Sequence, residues 1–232
     1  MIVSHKHKFI FIKTRKTAGT SLEIALSRYC GSNDIITPIS SIDEELRKDE
    51  GLYPINFLKS YNELNLKEKF NYHVRKKTPF KYYNHMPAEE VKNFIGNDKW
   101  HDYFKFSIDR NPWDKVVSLY HYEVGKSKQE LTFAEWFKKG NYAKAYNYPL
   151  YSSSNGEILL DYICNYENLN EELQFIQNKL DFDIVSFMPR AKSEFRTNKK
   201  DLSSYYNSEM SYIVTNYFKN EIDLHGYEKP FK

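Results

Sequence analysis

A short polar segment near the start of the chain combines cations, hydroxyl groups and a glycine in a pattern that favours anion binding. It stands between an apolar run, residues 9–12, and an amphipathic stretch that carries Leu22, Ala25 and Leu26. A strand, a polar loop and a helix N-terminus in that order present backbone amides and the positive end of a helix dipole to a phosphate or sulfate group. The residues available for such a contact are Arg15, Lys16, Thr17, Ala18, Gly19, Thr20 and Ser21.

The residue pattern of this segment is also compatible with two other interpretations. It could be an ordinary helix start behind a basic turn, in which Thr20 and Glu23 form a capping box. A Walker A loop requires Gly-x-x-x-x-Gly-Lys-Ser/Thr, but no glycine opens this segment and no lysine follows Gly19. ATP hydrolysis is therefore disfavoured, and a kinase with an atypical phosphate loop stays as an alternative.

A second segment repeats the succession of strand, polar loop and helix. Residues 103–108 predict a core strand, and Asn111 and Pro112 predict the cap and first residue of a helix. Arg110 follows the strand, at the edge where α/β sheets bind ligands, and Ser118 lies on the helix. One cation and one hydroxyl could clamp a second phosphate. Alternatively, Arg110 pairs with a neighbouring acid and Ser118 has no functional role.

The rest of the chain supplies the elements that must position these two segments. The run at residues 9–12 predicts a buried strand of a parallel sheet, and Gly31 suits the end of the first helix. Asn155 and Gly156 form a hairpin signal before a strand at residues 158–163. Apolar periodicity predicts helices at residues 169–180 and 209–218. Pro87, the acids that follow it and Gly96 predict a helix at residues 87–95. Short helices are expected near residues 42–46 and 55–61, where the periodicity is weak.

Composition excludes several classes of protein. The 232 residues carry 34 Lys and Arg against 31 Asp and Glu, a net charge of only +3, which argues against a nucleic-acid-coating protein. Two cysteines exclude a disulfide framework and a four-cysteine zinc site. The sequence contains no run of 18 apolar residues, so it predicts no membrane-spanning helix. The apolar run that follows the basic N-terminus is too short for a signal peptide. We therefore expect a cytoplasmic protein with no metal, nucleic-acid or membrane partner.

Together the two segments resemble the sulfotransferases that depend on 3′-phosphoadenosine 5′-phosphosulfate (PAPS), in particular the carbohydrate branch related to the heparan sulfate 2-O-sulfotransferases. The resemblance rests on Lys-Thr-Ala-Gly-Thr-Ser at residues 16–21 and on Arg-Asn-Pro-Trp-Asp-Lys-Val-Val-Ser from Arg110 to Ser118. It extends to residues 161–169 and to the tail, so that it covers residues 8–30 and 83–228. It implies an α/β fold with a P-loop-like central parallel sheet flanked by helices, in a single domain over residues 1–232.

The resemblance also implies roles for particular residues. Residues 16–21 would hold the 5′-phosphosulfate of PAPS, with Lys16 nearest the bridging oxygen, and Arg110 and Ser118 would hold the 3′-phosphate. Arg15 stands where the family usually has proline and would be an extra contact or a surface cation. The basic loop at residues 189–196 either covers the donor or forms a solvated face, and its candidate phosphate contacts are Arg190, Lys192 and Arg196.

The acceptor hydroxyl needs a base, and a neutral imidazole suits proton removal near pH 7. His85 lies between the two motifs, where it resembles the catalytic histidine of the family, and His73 is the next candidate. The products would be a sulfate ester and 3′,5′-adenosine bisphosphate (PAP), formed by in-line transfer without a metal.

The acceptor is expected to be a saccharide, shaped by residues 32–80 and 124–155 as acceptor-side elaborations of the domain. Their many tyrosines suit stacking on sugar rings or half-buried packing. The alternatives to a sulfotransferase are the atypical kinase and a non-catalytic module that binds anions or glycans. The sequence does not predict an oligomeric state.

Overall fold

A mixed five-stranded sheet forms the centre of the protein. The structure, a computed structural model, describes residues 1–127, 130–188 and 201–231. The strands are β1 (Ile2–Ser4), β2 (Phe9–Phe11), β3 (Ile35–Ile36), β4 (Phe104–Asp109) and β5 (Tyr162–Asn165), in the order β3-β1-β2-β4-β5. β2, β4 and β5 run parallel, but β1 is antiparallel to both β2 and β3. The expectation of a parallel sheet is therefore correct for three strands and wrong for the other two.

Helices cover both faces of the sheet. In the described ranges they are α1 (Gly19–Ser27), α2 (Ser41–Asp49), α3 (Leu66–Arg75), α4 (Ala88–Ile95), α5 (Asn97–Asp102), α6 (Pro112–Ser127), α7 (Phe133–Lys138), α8 (Tyr148–Tyr151), α9 (Leu169–Leu180), α10 (Ser208–Tyr217) and α11 (Lys219–His225). None of these helices is long and apolar enough to cross a bilayer. The sequence-based helices at residues 87–95, 169–180 and 209–218 and near 42–46 are confirmed, because each carries its own apolar stripe or cap.

Alternation along the strands separates the core into two layers. Phe9 and Phe11 point to one face, where they pack with helices α1 and α9, and Ile10 points to the other face, towards Val91 of α4 and Trp100 of α5. A third cluster lies outside the sheet, between α6, α7 and α10, and is rich in aromatic side chains. The sheet is thus buried on both faces and holds the ends of its parallel strands in fixed positions.

Three local expectations were wrong, and a fourth was correct in part. Thr20 and Glu23 form no capping box, since α1 begins at Gly19 after Ala18, without a side-chain cap. Gly31 does not end α1, which stops at Ser27 with Arg28 as its cap. Ile55 and Leu58 form isolated bridges where a helix was expected at residues 55–61. The hairpin signal at residues 155–156 is confirmed, because Ser152 pairs with Ile158 in antiparallel orientation around that turn. The strand expected at residues 158–163 lies further along, at Tyr162–Asn165.

Candidate functional site

The two polar segments meet at one edge of the sheet. The first loop, residues 13–18, follows β2, and the second loop, Arg110 and Asn111, follows β4. Because β2 and β4 are parallel neighbours, with Phe11 opposite Phe106, their carboxyl ends lie side by side. The Arg110 guanidinium donates a hydrogen bond of 3.1 Å to the Lys16 carbonyl. The motifs are therefore in direct contact, although far apart in the chain.

Backbone conformation singles out the first loop. Lys16 has φ 62° and Ala18 has φ 59°, so two non-glycine residues occupy the left-handed region within three positions. Each costs roughly 1–2 kcal/mol relative to the ordinary right-handed conformation. Residues held in such conformations cluster at functional sites, and alternating hand along a loop turns successive N–H groups towards one point, as in anion-binding turns.

Hydroxyl groups brace the first loop from inside. Thr17 is fully buried, and its hydroxyl lies 2.8 Å from the Thr14 hydroxyl. The Thr14 hydroxyl in turn donates to the Ile108 carbonyl near the end of β4. A contact from Thr17 to a ligand would therefore come from its backbone N–H. Gly19 allows tight packing, because a Cβ there would lie 3.1 Å from Cγ of Lys13. Thr20 is half-buried and Ser21 is buried in the first turn of α1.

The Lys16 side chain reaches helix α6. Its ammonium lies 4.2 Å from the centre of the Tyr122 ring. Ser118 precedes Tyr122 by four residues, so both lie on the same face of α6, one turn apart. Lys16 and Ser118 are both half-buried. The structure thus places the lysine of the first loop against the helix face that carries Ser118.

Arg110 is held in a fixed orientation. Its Nε donates to Asp114 over 2.8 Å, a terminal nitrogen pairs with the same carboxylate, and the guanidinium stacks 4.2 Å from the Tyr166 ring. The pairing with a neighbouring acid is one of the two outcomes that the sequence left open. Arg110 is 7% exposed, so its charge is confined to the junction of the two loops. Ser118 lies about two turns further along α6.

His85 lies against the first loop, whereas His73 does not contact it. The Nδ1 of His85 is 3.0 Å from the Lys13 carbonyl, which fixes the proton on Nδ1 and leaves Nε2 with its lone pair. Burial, followed by the charges of Lys13 and Arg15, lowers the pKa of His85 to about 3. His73 is exposed on α3, where its Nε2 lies 3.1 Å from the Tyr61 hydroxyl.

The backbone of Arg15 is held by Asn147, a residue that the sequence did not indicate. The Asn147 Oδ1 accepts from the Arg15 N–H over 2.9 Å, and its Nδ2 donates to the Arg15 carbonyl and to Asp109 Oδ1, each over 3.1 Å. Asn147 is fully buried. It therefore ties the first loop to the end of β4 and to the segment that precedes α8. No motif surrounds it in the sequence that would have marked this role.

A buried charge network supports the same junction. Lys115 donates to Asp109 over 2.7 Å and to Glu221 over 2.6 Å, and all three side chains are fully buried. Glu221 also accepts from the Asn147 backbone N–H over 2.5 Å, and Tyr151 donates to Asp109 over 2.7 Å. Burial raises the pKa of Glu221 to about 7. The network joins β4, α6, α8 and α11 beneath the two loops.

We expect Asn147→Ala to lower the free energy of unfolding by about 2–4 kcal/mol, because it removes three hydrogen bonds and leaves buried partners unpaired. Asn141→Ala is the matched control, since Asn141 donates to the Trp136 carbonyl in the same segment without contacting the first loop. Its expected cost is about 1 kcal/mol. Urea unfolding measures both, and equal costs would contradict the bracing of the first loop by Asn147.

A cleft of about 420 Å³ opens beside the first loop. Its lining residues are Arg15, Leu119, Glu123, Ala143 and Lys144. Glu123 pairs with Lys144 over 3.0 Å, whereas Arg15 forms no ion pair with any described carboxylate and donates to the Tyr146 carbonyl over 3.4 Å. The cleft therefore combines a net positive charge with hydrogen-bonding groups on both sides.

The tyrosines around the cleft take part in packing. Tyr142 stacks on Phe137 at 4.4 Å between ring centres, and Tyr146 packs against Phe218. Tyr53 and Tyr61, by contrast, are 54% and 48% exposed. Arg190, Lys192 and Arg196 of the basic loop lie outside the described residues. Within the described part of the chain, no group of His, Cys, Asp and Glu side chains is arranged to hold a metal ion.

Comparisons with known proteins show the family of the chain. A family model described as the sulfotransferase family matches residues 1–228. An uncharacterized protein of Archaeoglobus fulgidus is 36% identical over 98 residues, which cover 41% of this chain and 82% of that protein. No solved structure gives a significant match. Because the family match spans both loops and nearly the whole length, the chain belongs to the sulfotransferase family and is a sulfuryl-transferring enzyme.

Proposed function

We propose that this sulfotransferase moves the sulfuryl group of PAPS onto a hydroxyl of a carbohydrate acceptor and releases PAP. The observation that carries the proposal is the contact between the two loops, in which Arg110 donates to the Lys16 carbonyl. A donor with phosphate groups at both its 5′ and 3′ positions needs two anion sites at a fixed separation. The loops at the carboxyl ends of the parallel neighbours β2 and β4 would form such a pair.

The first loop fits the phosphosulfate end of the donor. Lys16 and the backbone N–H groups at the start of α1, from Gly19 to Ser21, would bind its oxygens, and Arg15 would add a second cation. During transfer the acceptor oxygen bonds to sulfur while the bond from sulfur to the bridging phosphate oxygen breaks. Negative charge then accumulates on the departing phosphate, so a cation and fixed amide dipoles at that point stabilise the transition state.

The second loop fits the 3′-phosphate. Arg110 presents its guanidinium at the junction, oriented by Asp114 and Tyr166, and Ser118 supplies a hydroxyl on α6. A guanidinium held by a carboxylate keeps one geometry, which favours a phosphate at a defined position. Lys192 and Arg196 stay as proposed additional phosphate contacts.

His85 is the proposed general base. Its Nδ1 donates to the Lys13 carbonyl, so Nε2 is the atom that takes the proton of the acceptor hydroxyl. The positive charges of Lys13 and Arg15 contribute to its low pKa. An anionic donor bound at the first loop offsets those charges and raises the pKa of His85, so the imidazole becomes a stronger base once the donor is in place.

The acceptor is proposed to enter through the cleft beside Arg15. The cleft adjoins the first loop and is lined by charged groups that can bond sugar hydroxyls. Its far side comes from residues 143–144, within the acceptor-side segment at residues 124–155. The heparan sulfate 2-O-sulfotransferase-like branch is the carbohydrate class proposed for it.

Thermal shift with nucleotides tests the donor assignment. PAP at 100 times its dissociation constant should stabilise the fold by about 2.7 kcal/mol, a rise of roughly 5–10 °C for a chain of this size. Neither AMP nor 2′,5′-adenosine bisphosphate should match it, because neither places a phosphate at the 3′ position. The shift should not require Mg²⁺.

The Ser118→Ala variant tests the proposed contact to the 3′-phosphate. It should reduce the PAP shift while leaving the smaller AMP shift unchanged, since AMP lacks the 3′-phosphate. A larger shift with ATP and Mg²⁺ would favour the atypical kinase instead. PAP binding without sulfuryl transfer to any saccharide would favour the non-catalytic module.

A further inference from the structure

Helix α3 carries a row of large apolar side chains that faces solvent. Leu66, Phe70 and Val74 recur every fourth residue and are 88%, 66% and 61% exposed. Side chains four apart lie on one face of a helix, so these three form a continuous apolar stripe along α3. No residue of α3 is buried. An isolated exposed leucine is ordinary, but an ordered row of three large side chains marks an interaction surface.

The opposite face of α3 attaches the helix to the protein. Glu68 pairs with Lys59 over 2.7 Å, and Tyr72 packs edge-on against Tyr61. Asn65 caps the N-terminus through a reciprocal capping box with Glu68. These contacts fix the orientation of the helix, so the apolar stripe is presented outwards by the fold.

Positive charge surrounds the stripe. At about 100° per residue, Lys67 and Lys69 fall on its two sides. Three more cations, Arg75, Lys76 and Lys77, follow at the exposed end of the helix. The only acid among residues 66–77 is Glu68, which is already paired with Lys59. The surface is thus apolar along its centre and cationic at its margins.

We propose that helix α3 docks the enzyme on a membrane surface that contains anionic lipids. A helix with an apolar face and flanking lysines lies in the plane of the interface, with the apolar side chains among the acyl chains and the cations at the headgroups. Each lysine or arginine near an anionic leaflet strengthens binding by about fivefold. This inference does not depend on the proposed donor or acceptor.

Charge and shape argue against other occupants. Two copies of the chain that met through α3 would bring the same five cations together, which opposes self-association. A glycan offers sulfate and carboxylate groups for the lysines but no apolar phase for Leu66, Phe70 and Val74. Our sequence-based expectation of no membrane partner rested on the lack of a spanning segment, and a helix that lies in the interface needs none.

Vesicle co-sedimentation of the full chain tests the proposal. Binding to phosphatidylcholine vesicles that contain phosphatidylserine should exceed binding to phosphatidylcholine alone by at least about tenfold, and should weaken with added salt. The stripe variant, Leu66→Gln with Phe70→Gln and Val74→Gln, should lose at least about tenfold in binding, because glutamine keeps helix propensity but not apolarity.

Two matched variants serve as controls. Ile42→Gln and Tyr212→Gln remove side chains that are 74% and 71% exposed on other helices, and neither should change vesicle binding. Circular dichroism and PAP-induced stabilisation should be the same for all variants, because none of these residues contacts the loops. Equal binding by the stripe variant, or no preference for phosphatidylserine, overturns the proposal. A dimer in solution that the stripe variant dissociates also overturns it and assigns the surface to a second copy.

Discussion

Replacement of Lys16 by alanine should lower kcat of sulfuryl transfer by about 10²–10³-fold, the usual effect of removing one group that stabilises developing negative charge. Lys16 is half-buried in the first loop, and its ammonium lies over the Tyr122 ring. That cation–π contact contributes only about 0.5–1 kcal/mol to folding. Alanine and lysine tolerate the left-handed backbone about equally, so the variant should fold.

Lys126→Ala is the matched control for this variant. The Lys126 ammonium lies 5.8 Å from the centre of the same Tyr122 ring, but on α6 and not in the first loop. Its removal should leave kcat within about twofold, as expected for an exposed surface cation. Single-turnover rates at saturating donor separate an effect on transfer from one on donor binding. Near-normal turnover by Lys16→Ala, or an equal loss in both variants, would refute the assignment of the first loop.

Elements whose signals are local could be predicted from the sequence. Helix α9 runs over residues 169–180 as expected, since Leu173 and Ile176 recur at helical spacing and pack against the sheet. Helix α6 begins at Pro112, with the Trp113 N–H bonded to Asn111, as the cap signal indicated. In these segments the residues that decide the structure lie within a few positions of one another.

Elements that are decided by contacts between residues far apart in the chain could not be predicted. β1 and β3 have three and two residues, too few to show a period, and their antiparallel pairing is decided by partners elsewhere in the chain. Glu23 looks like the end of a capping box but forms a buried ion pair with Lys13 over 2.8 Å. Since breaking this pair would leave a buried charge without its partner, tertiary contacts and not a local cap decide where Glu23 points.

The candidate site shows the same division. The two loops could be identified from their residue types, and the parallel sheet explains why they meet. Asn147 could not be identified, because its role depends on hydrogen bonds to Arg15 and Asp109, which are far from it in the sequence. The choice between His85 and His73 also required three dimensions: both lie outside the loop motifs, and only one contacts the first loop.

His85→Asn should lower kcat by about 10²–10⁴-fold, the range for loss of a general base. His85 has φ 60°, a conformation that asparagine tolerates better than most residues, so the backbone should keep its course. The asparagine amide can still donate to the Lys13 carbonyl, but it cannot accept the proton of the acceptor. The variant therefore separates proton transfer from the structural hydrogen bond.

Two histidine variants complete the comparison. His101→Ala removes a histidine whose Nδ1 likewise lies 2.9 Å from a backbone carbonyl, that of Asn97, and it should retain full activity. His73→Ala should also retain activity. If His73→Ala loses turnover while His85→Asn does not, the base is His73 and the proposed role of His85 is wrong.

The pH dependence gives an independent test of His85. With its pKa lowered to about 3, the folded enzyme keeps the imidazole neutral while the unfolded chain takes up a proton near pH 6.5. The unfolded state thus binds more protons between these values, so His85 makes the fold less stable as the pH falls through that window, and His85→Asn should flatten the decline. For the same reason kcat/KM for the donor, which reports the enzyme before the donor binds, should show no acid limb near pH 6.5. If kcat/KM did fall with an apparent pKa near 6.5, the catalytic base would have an ordinary histidine pKa. The base would then not be the buried His85 beside Lys13 and Arg15, and its assignment to the first loop would be wrong.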